Sequence, residues 1–267
     1  MTKAATHDLV HVRREDGGVA VVTFDKAETM NSLDPGVMRE VRNAFATLLA
    51  DPAVRALVLT GSGAAFCAGA NVKQMAAAAQ DGTSVQWVLD TTAELHPLLL
   101  DLHASSKPLV AAINGVAAGG GLGLALVADC RIGNPQARFA AGYFGIGLSP
   151  DGGSTWLMPR LIGTQRTRRF FFTNEVMGAE EAVKTRLLDE VVPADQLLAR
   201  AVAVAREWGH WGVMSRESTK RLLEATVKND FASHLDLERG LIAAASGTAD
   251  FAQGTAAFVE KRKAKFA

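Results

Sequence analysis

The chain has 267 residues, 48% of them hydrophobic, and its 28 basic and 28 acidic side chains cancel. That length and apolar content allow a full buried core and exclude a disordered chain. Zero formal net charge leaves no overall field to draw in nucleic acid or an anionic membrane, so an anionic ligand must be met by local charge.

Val19 to Phe24 reads as a short buried strand bounded by turn formers. Asp34-Pro35 then supplies an N-cap and a first-turn proline, and Val37, Met38, Val41, Phe45, Leu48 and Leu49 recur at helical spacing up to the Asp51-Pro52 stop. Ala56 to Thr60 predicts a second buried strand, and Val85 to Leu102 a helix ended by Ser105-Ser106-Lys107-Pro108. Leu109 to Asn114 predicts a third strand, and Leu122 to Asp129 a buried helix. Strands alternating with long helices imply an α/β layout with right-handed crossovers. From about Leu197 glycines thin out and the pattern becomes helical over 197–208, 213–228 and 232–245, ahead of a basic tail.

Cys67 and Cys130 both lie in apolar, small-residue settings and read as buried free thiols. No apolar run reaches the ~18 residues a membrane span needs, and MTKAATHDLVHVRRED carries no leader pattern, so a reducing, cytoplasmic location with no membrane partner is expected. His7, His11, His103, His210 and His234 are scattered singly, and no metal site is expected. Gly61-Ser-Gly63 has Phe66 where a dinucleotide fingerprint needs its third glycine.

The chemistry is concentrated in two small-residue stretches about fifty residues apart, Phe66-Cys67-Ala68-Gly69-Ala70-Asn71 and Asn114-Gly115-Val116-Ala117-Ala118-Gly119-Gly120-Gly121, each following an apolar run. Small residues after a buried strand let a ligand approach the backbone, and two such places can aim two N–H groups at one oxygen, an oxyanion hole. The plainer reading is a pair of tight turns that need glycine only for packing. With Asn31-Ser32-Leu33, Lys107-Pro108, Gly147-Leu-Ser-Pro150-Asp151-Gly152-Gly153, Leu188-Asp-Glu-Val-Val-Pro193 and Ala257-Phe258-Val-Glu-Lys261-Arg-Lys263, the stretches resemble the crotonase (enoyl-CoA hydratase/isomerase) family over nearly the whole chain. Pro150-Asp151-Gly-Gly-Ser-Thr-Trp156-Leu-Met-Pro159-Arg160 and Leu235-Asp236-Leu-Glu-Arg239 look most like its phenylacetyl-CoA catabolic isomerase branch, which acts on a ring-epoxide thioester.

The resemblance implies an α/β crotonase-like fold. Residues 1–196 would form a repeated ββα spiral core holding the acyl-CoA site, and residues 197–267 a C-terminal helical region that assembles trimers or pairs of trimers. It implies no external cofactor, because coenzyme A is part of the substrate. The implied oxyanion donors are the backbone N–H groups of Ala70 and Gly120. The two glutamates of the family's hydratases fall on Gly123 and Tyr143, neither a carboxylate. Hydration needs a base for the water and a proton source for the α-carbon, so isomerisation is favoured over hydration.

Asp151 matches the acidic residue that works alone in isomerases of the family, taking a proton α to the thioester and returning it at the γ-carbon. It also reads as an N-cap of the helix that follows. His96 lies on the helix that roofs the acyl pocket in the family and matches the base of the aryl-CoA dehalogenase branch, in which an aspartate at 151 is the nucleophile and a tryptophan stands in place of Tyr143. It reads equally as an ordinary packed or solvated histidine. For CoA, the resemblance implies Ala68, Ala70, Asn71, Val72 and Lys73 around the adenine, Lys26 on the phosphate edge and Gly120 at the thioester. Phe258 and Lys261 would reach the nucleotide from the last helix, or simply be a solvated basic helix end. Outside enzymology the rival is a catalytically silent acyl-CoA binder or an RNA-binding member of the fold; Asp151 weighs against the first and zero net charge against the second.

Overall fold

The computed structural model describes residues 6, 7 and 9–266; the N-terminal segment read for a leader lies partly outside them. In chain order, β1 (Thr6–His7), β2 (Val10–Glu15) and β3 (Val19–Phe24) lead into α1 (Pro35–Ala50). Then come β4 (Ala56–Gly61), β5 (Ala65–Cys67), α2 (Val72–Gln80) and α3 (Ser84–Ala104), followed by β6 (Leu109–Ile113), β7 (Val116–Ala118) and α4 (Gly120–Leu126). The next turn of the fold is β8 (Cys130–Gly133), β9 (Arg138–Ala140), α5 (Ser154–Ile162) and α6 (Thr164–Phe172). The core closes with β10 (Val176–Gly178), α7 (Ala179–Lys184) and β11 (Glu190–Val191), and the chain ends in α8 (Leu197–Gly209), α9 (Val213–Ala225), α10 (Phe231–Ser246) and α11 (Ala249–Val259).

Two sheets result, a seven-stranded one in the order β1-β2-β3-β4-β6-β8-β11 and a four-stranded one in the order β10-β9-β7-β5. Each ββα unit gives its first strand to the large sheet (β4, β6, β8) and its second to the small one (β5, β7, β9), which is the spiral the resemblance implies. The centre of the large sheet is parallel, with Val21 opposite Val58, Val58 opposite Val110 and Val110 opposite Cys130. Side chains alternate across a strand. That row therefore faces one way, with Val22, Leu59 and Ala111 facing the other.

α1 forms for reasons legible in its sequence. The Asp34 Oδ1 accepts from the Val37 N–H at 2.9 Å, Pro35 occupies the first turn, and Val37, Met38, Val41, Phe45 and Leu48 are buried. Burial alone would raise the Asp34 carboxyl, but the Val37 N–H and the Lys26 ammonium outweigh it and hold it below the usual range.

α8 packs Leu197, Ala201, Val202, Val204 and Ala205 on the Val21–Val58–Val110 face of the large sheet. α11 fills most of the interval between the helical pattern expected to end at 245 and the basic tail expected at 258–263, capped by the Thr248 hydroxyl accepting from the Phe251 N–H at 3.2 Å. Its alanines and Gly254 mute the periodicity that would have announced it. Cys67 and Cys130 are buried free thiols, both pushed up to about 12 chiefly by burial. Among the described residues no helix is long and apolar enough to cross a membrane.

Candidate active site

The first wall of the site is built by backbone pairing. The Leu33 N–H donates to the Gly69 carbonyl at 2.7 Å, and the Asn71 N–H donates to the Leu33 carbonyl at 2.8 Å. This short parallel bridge turns the Ala70 N–H away from Leu33. Gly69 has φ +83°, and a Cβ there would lie 2.6 Å from the Ala118 carbonyl oxygen. Only glycine allows both the conformation and the approach, and that approach brings the two small-residue stretches together.

On the second stretch, Gly119 (φ +53°) turns the chain into α4, whose first residue is Gly120. The first N–H groups of a helix have no partner within it. Among the described residues neither the Ala70 nor the Gly120 N–H finds a protein acceptor, and both residues line one cavity of roughly 200 Å³. Two free donors in one apolar cavity can stabilise an oxygen that gains charge.

The third wall is the 142–153 loop. Gly152 (φ +58°) packs against α4, with an ideal Cβ 3.6 Å from both the Gly120 and Gly123 Cα atoms. The packing is reciprocal, since a Cβ at Gly123 would sit 2.1 Å from the Gly152 carbonyl oxygen. No side chain fits at 123 unless the loop retreats, so a second carboxylate has no room there. Asp151 projects into the cavity, and the Tyr143 hydroxyl donates to its Oδ1 at 2.8 Å. Burial first, and then the Asp151 charge, push the Tyr143 phenol well above its ordinary value. It therefore keeps its proton and acts as a donor. The Asp151 carboxylate does not cap α5: that end is closed through the Asp151 main-chain carbonyl, which accepts from the Ser154 N–H at 3.1 Å and hydroxyl at 2.7 Å. Asp151 is the one carboxylate among the residues lining the cavity.

The structure thus brings together Ala68, Ala70, Val72, Gly120, Tyr143 and Asp151. His96 is not with them. It is exposed, and lines a separate cavity of about 410 Å³ with Leu99, Leu100, His103 and Trp156, so the base expected from the dehalogenase match is absent from the Asp151 cavity. Asn71 caps α2, its Oδ1 accepting from the Gln74 N–H at 3.3 Å, and Lys73 is exposed on the same helix. The Lys26 ammonium lies 3.2 Å from the Asp34 Oδ2, which ties it to the head of α1, and it is not among the residues lining the Asp151 cavity. Phe258, 86% exposed, lines a groove with Met214, Phe251 and Phe266; neither it nor Lys261 reaches the Asp151 cavity within one chain. Ile146 and Leu148 are wall residues that the sequence reading missed, although two large apolar residues flanking Gly147 in a loop were a usable signal.

The family described as enoyl-CoA hydratase/isomerase matches residues 14–267, and the chain belongs to it. A Rhodobacter capsulatus protein named probable enoyl-CoA hydratase is 37% identical over 253 residues, 93% of this chain and 94% of its own. The 1,2-epoxyphenylacetyl-CoA isomerase of Escherichia coli is 32% identical over 263 residues, 97% of each. The crystal structure of an enoyl-CoA hydratase from Bacillus anthracis superposes with a TM-score of 0.90 at 27% identity, covering 97% of this chain and 99% of that one. Hydratase and isomerase names both occur among the relatives, so kinship defines a crotonase-family acyl-CoA enzyme and leaves the reaction to the site.

Proposed function

We propose that the enzyme is an enoyl-CoA isomerase that moves a double bond from the β,γ to the α,β position of a thioester. The observation that carries the reading is the single carboxylate, Asp151, held by Tyr143, at a place where Gly123 and the Gly152 carbonyl leave no room for a second. The Asp151 carboxylate takes a proton from the α-carbon, and the electrons pass through the carbonyl to give a dienolate. The negative oxygen lies between the Ala70 and Gly120 N–H groups. The same carboxyl then returns the proton to the γ-carbon, and the carbonyl re-forms. One acid–base group suffices for that sequence, whereas water addition needs two proton transfers handled at once. The hydroxyl of Tyr143 holds Oδ1, and the free Oδ2 is the oxygen placed to do the proton transfer.

Coenzyme A would enter along Ala68, Asn71 and Lys26. Phe258 and Lys261 would meet it only from a second copy of the chain, and a trimer or pair of trimers accords with the exposed apolar side chains of α10 and α11: Phe231 (78%), Ile242 (71%), Phe258 and Val259 (79%). Light scattering tests that assembly, and a monodisperse monomer would remove the C-terminal residues from the site. For the reaction, the purified protein is given 3-hexenoyl-CoA and crotonyl-CoA. Conversion of the first to its 2-isomer, with slow hydration of the second, is the expected result. Fast hydration of crotonyl-CoA would overturn the assignment and mean that Asp151 and Tyr143 position a water between them.

A further inference from the structure

Ala70 and Gly120 come from separate stretches of chain, and two donors serve one oxygen only if the distance between them is held. β5, which leads to Ala70, is a three-residue strand at the edge of the small sheet, paired with β7 through a register shift between Ala65 and Cys67. So short a ladder leaves few main-chain hydrogen bonds to fix where the strand lies. Two asparagine amides add to them. Asn31 Nδ2 donates to the Ala65 carbonyl at 2.8 Å and to the Ser62 carbonyl at 2.9 Å, while its Oδ1 accepts from the Lys26 N–H at 3.0 Å. Asn114 Nδ2 donates to the same Ala65 carbonyl at 3.0 Å and to the Gly63 carbonyl at 3.0 Å, and its Oδ1 accepts from the Gly61 N–H at 3.3 Å. Each amide thus uses both of its donors on carbonyls of the 62–65 turn, and a main-chain N–H at its oxygen fixes which way round it lies. Aspartate would have the shape but no N–H to give.

Both donor stretches start from what these amides hold. Asn31 belongs to the 30–33 segment, whose main chain grips the Ala70 loop: the Met30 carbonyl accepts from the Ala68 N–H at 3.0 Å, and Leu33 bonds Gly69 and Asn71. Its backbone has φ +55°, a left-handed conformation that asparagine tolerates better than most residues. Asn114 opens the second stretch, which runs through β7 to Gly119 and Gly120. A Cβ at Gly115 would collide with the Ala64 carbonyl, so the chains ahead of the two donors also touch main chain to main chain.

We propose that Asn31 and Asn114 are positioning residues for the thioester: by sharing the Ala65 carbonyl they fix the separation of the Ala70 and Gly120 N–H groups, so that both reach the same oxygen. The inference rests on the oxyanion placement in the reading above, and not on where the proton travels afterwards.

Infrared difference spectroscopy of hexanoyl-CoA, isotopically labelled at the thioester carbonyl and bound to the intact protein, tests this without turnover. Donors aimed at the oxygen polarise the carbonyl and lower its stretching frequency, so in the unmodified protein the band should lie below that of the free thioester. Asn114→Ala, at a half-buried position, and Asn31→Gly, which suits the left-handed backbone, should each move the band back toward the free value. Each should also lower kcat for 3-hexenoyl-CoA by ~10–10²-fold, as misplaced rather than deleted donors require, with the affinity for hexanoyl-CoA changing far less. Thr60→Val is the control for stability alone. It removes the 2.9 Å bond from Thr60 Oγ1 to the Ala112 carbonyl, which does not involve Ala65, and should lower the melting temperature with the band unmoved. If Asn31→Gly does not fold, Asn114→Ala and the milder Asn114→Ser decide the matter. A low band that the Asn114 variants keep, or a Thr60→Val shift as large as theirs, would overturn the positioning role and leave the thioester seat standing. A band at the free value in the unmodified protein would remove both. Fast hydration of crotonyl-CoA, with the band shifts as expected, would sink the reaction assigned above and leave the two asparagines in their role.

Discussion

α3 separates two cavities of opposite character. Thr91 and Leu95 face the one that holds Asp151, Tyr143 and the two free N–H groups. His96, Leu99 and His103 face the other, where His103 packs edge-on against Trp156 at 5.4 Å and its Nε2 lies 3.2 Å from a carboxylate oxygen of Glu224. The first holds the Asp151 carboxylate and the unpartnered Ala70 and Gly120 N–H groups, whereas the second is lined by the His96 and His103 imidazoles. Helix geometry decides which residue goes where. Steps of four residues overshoot a full turn by about 40°, so the line from Val88 through Thr92 to His96 drifts ~80° around the helix and leaves the cavity. A histidine one turn from a catalytic wall is therefore not on that wall.

The largest effect expected from breaking this asymmetry is at Asp151. Asp151→Asn keeps size and the Tyr143 contact but cannot carry the proton, so isomerisation should fall by ~10²–10⁴-fold with thermal stability unchanged. A spectrophotometric assay with 3-hexenoyl-CoA reads it, and near-normal turnover would remove Asp151 from the chemistry. Tyr143→Phe deletes only the 2.8 Å donor to Oδ1. A hydrogen bond to a charged group contributes about 1.5–3 kcal/mol, which corresponds to a ~10–10²-fold loss in kcat with KM nearly constant. A merely structural tyrosine would instead lower the melting temperature and leave kcat intact.

A smaller effect is expected on the α4 side of the same cavity. Gly123→Ala improves helix propensity, yet its methyl meets the Gly152 carbonyl oxygen at 2.1 Å. Overpacking of this kind costs about 1–3 kcal/mol. A melting temperature several degrees lower should therefore accompany reduced turnover, because the displaced residue adjoins Asp151. Unchanged stability would show that the loop yields easily, and with it the argument that a second carboxylate has no room at 123.

Much of the spiral was legible because its signals are local. Asp34-Pro35 announced α1, and the apolar runs at 19–24, 56–60 and 109–114 announced the parallel strands of the large sheet. The small sheet was harder to read. Ala65–Cys67 and Val116–Ala118 are three-residue strands inside stretches that look like turns, and they exist only because they pair with each other and with Arg138–Ala140. The free N–H groups of Ala70 and Gly120 lie in the two stretches that glycine spacing and resemblance singled out, while the contact between Gly123 and Gly152 joins residues far apart along the chain and has no signature in either segment. His96 was misplaced for a related reason: residue type and position on a helix say nothing of which face a neighbouring loop will close over.

His96 provides the smallest effect and the most direct check on the two faces of α3. The side chain is exposed, lies outside the Asp151 cavity, and its neighbours Leu99, Leu100 and Trp156 belong to the other cavity. His96→Gln should leave isomerisation within about twofold of the unmodified enzyme, since surface substitutions away from caps and buried networks usually change stability by under ~0.5 kcal/mol. The same variant bears on the dehalogenase reading, in which Asp151 attacks an aryl-CoA and an imidazole activates the water that releases the product. That chemistry needs the base within hydrogen-bond reach of the acyl–aspartate carbon or one water away, and an imidazole opening into a different cavity does not meet the requirement. Halide release from 4-chlorobenzoyl-CoA, lost in His96→Gln, would show that α3 rotates or unwinds on binding and would erase the difference between its two faces. Absence of halide release, with isomerisation intact in the variant, would confine the chemistry to the Asp151 side.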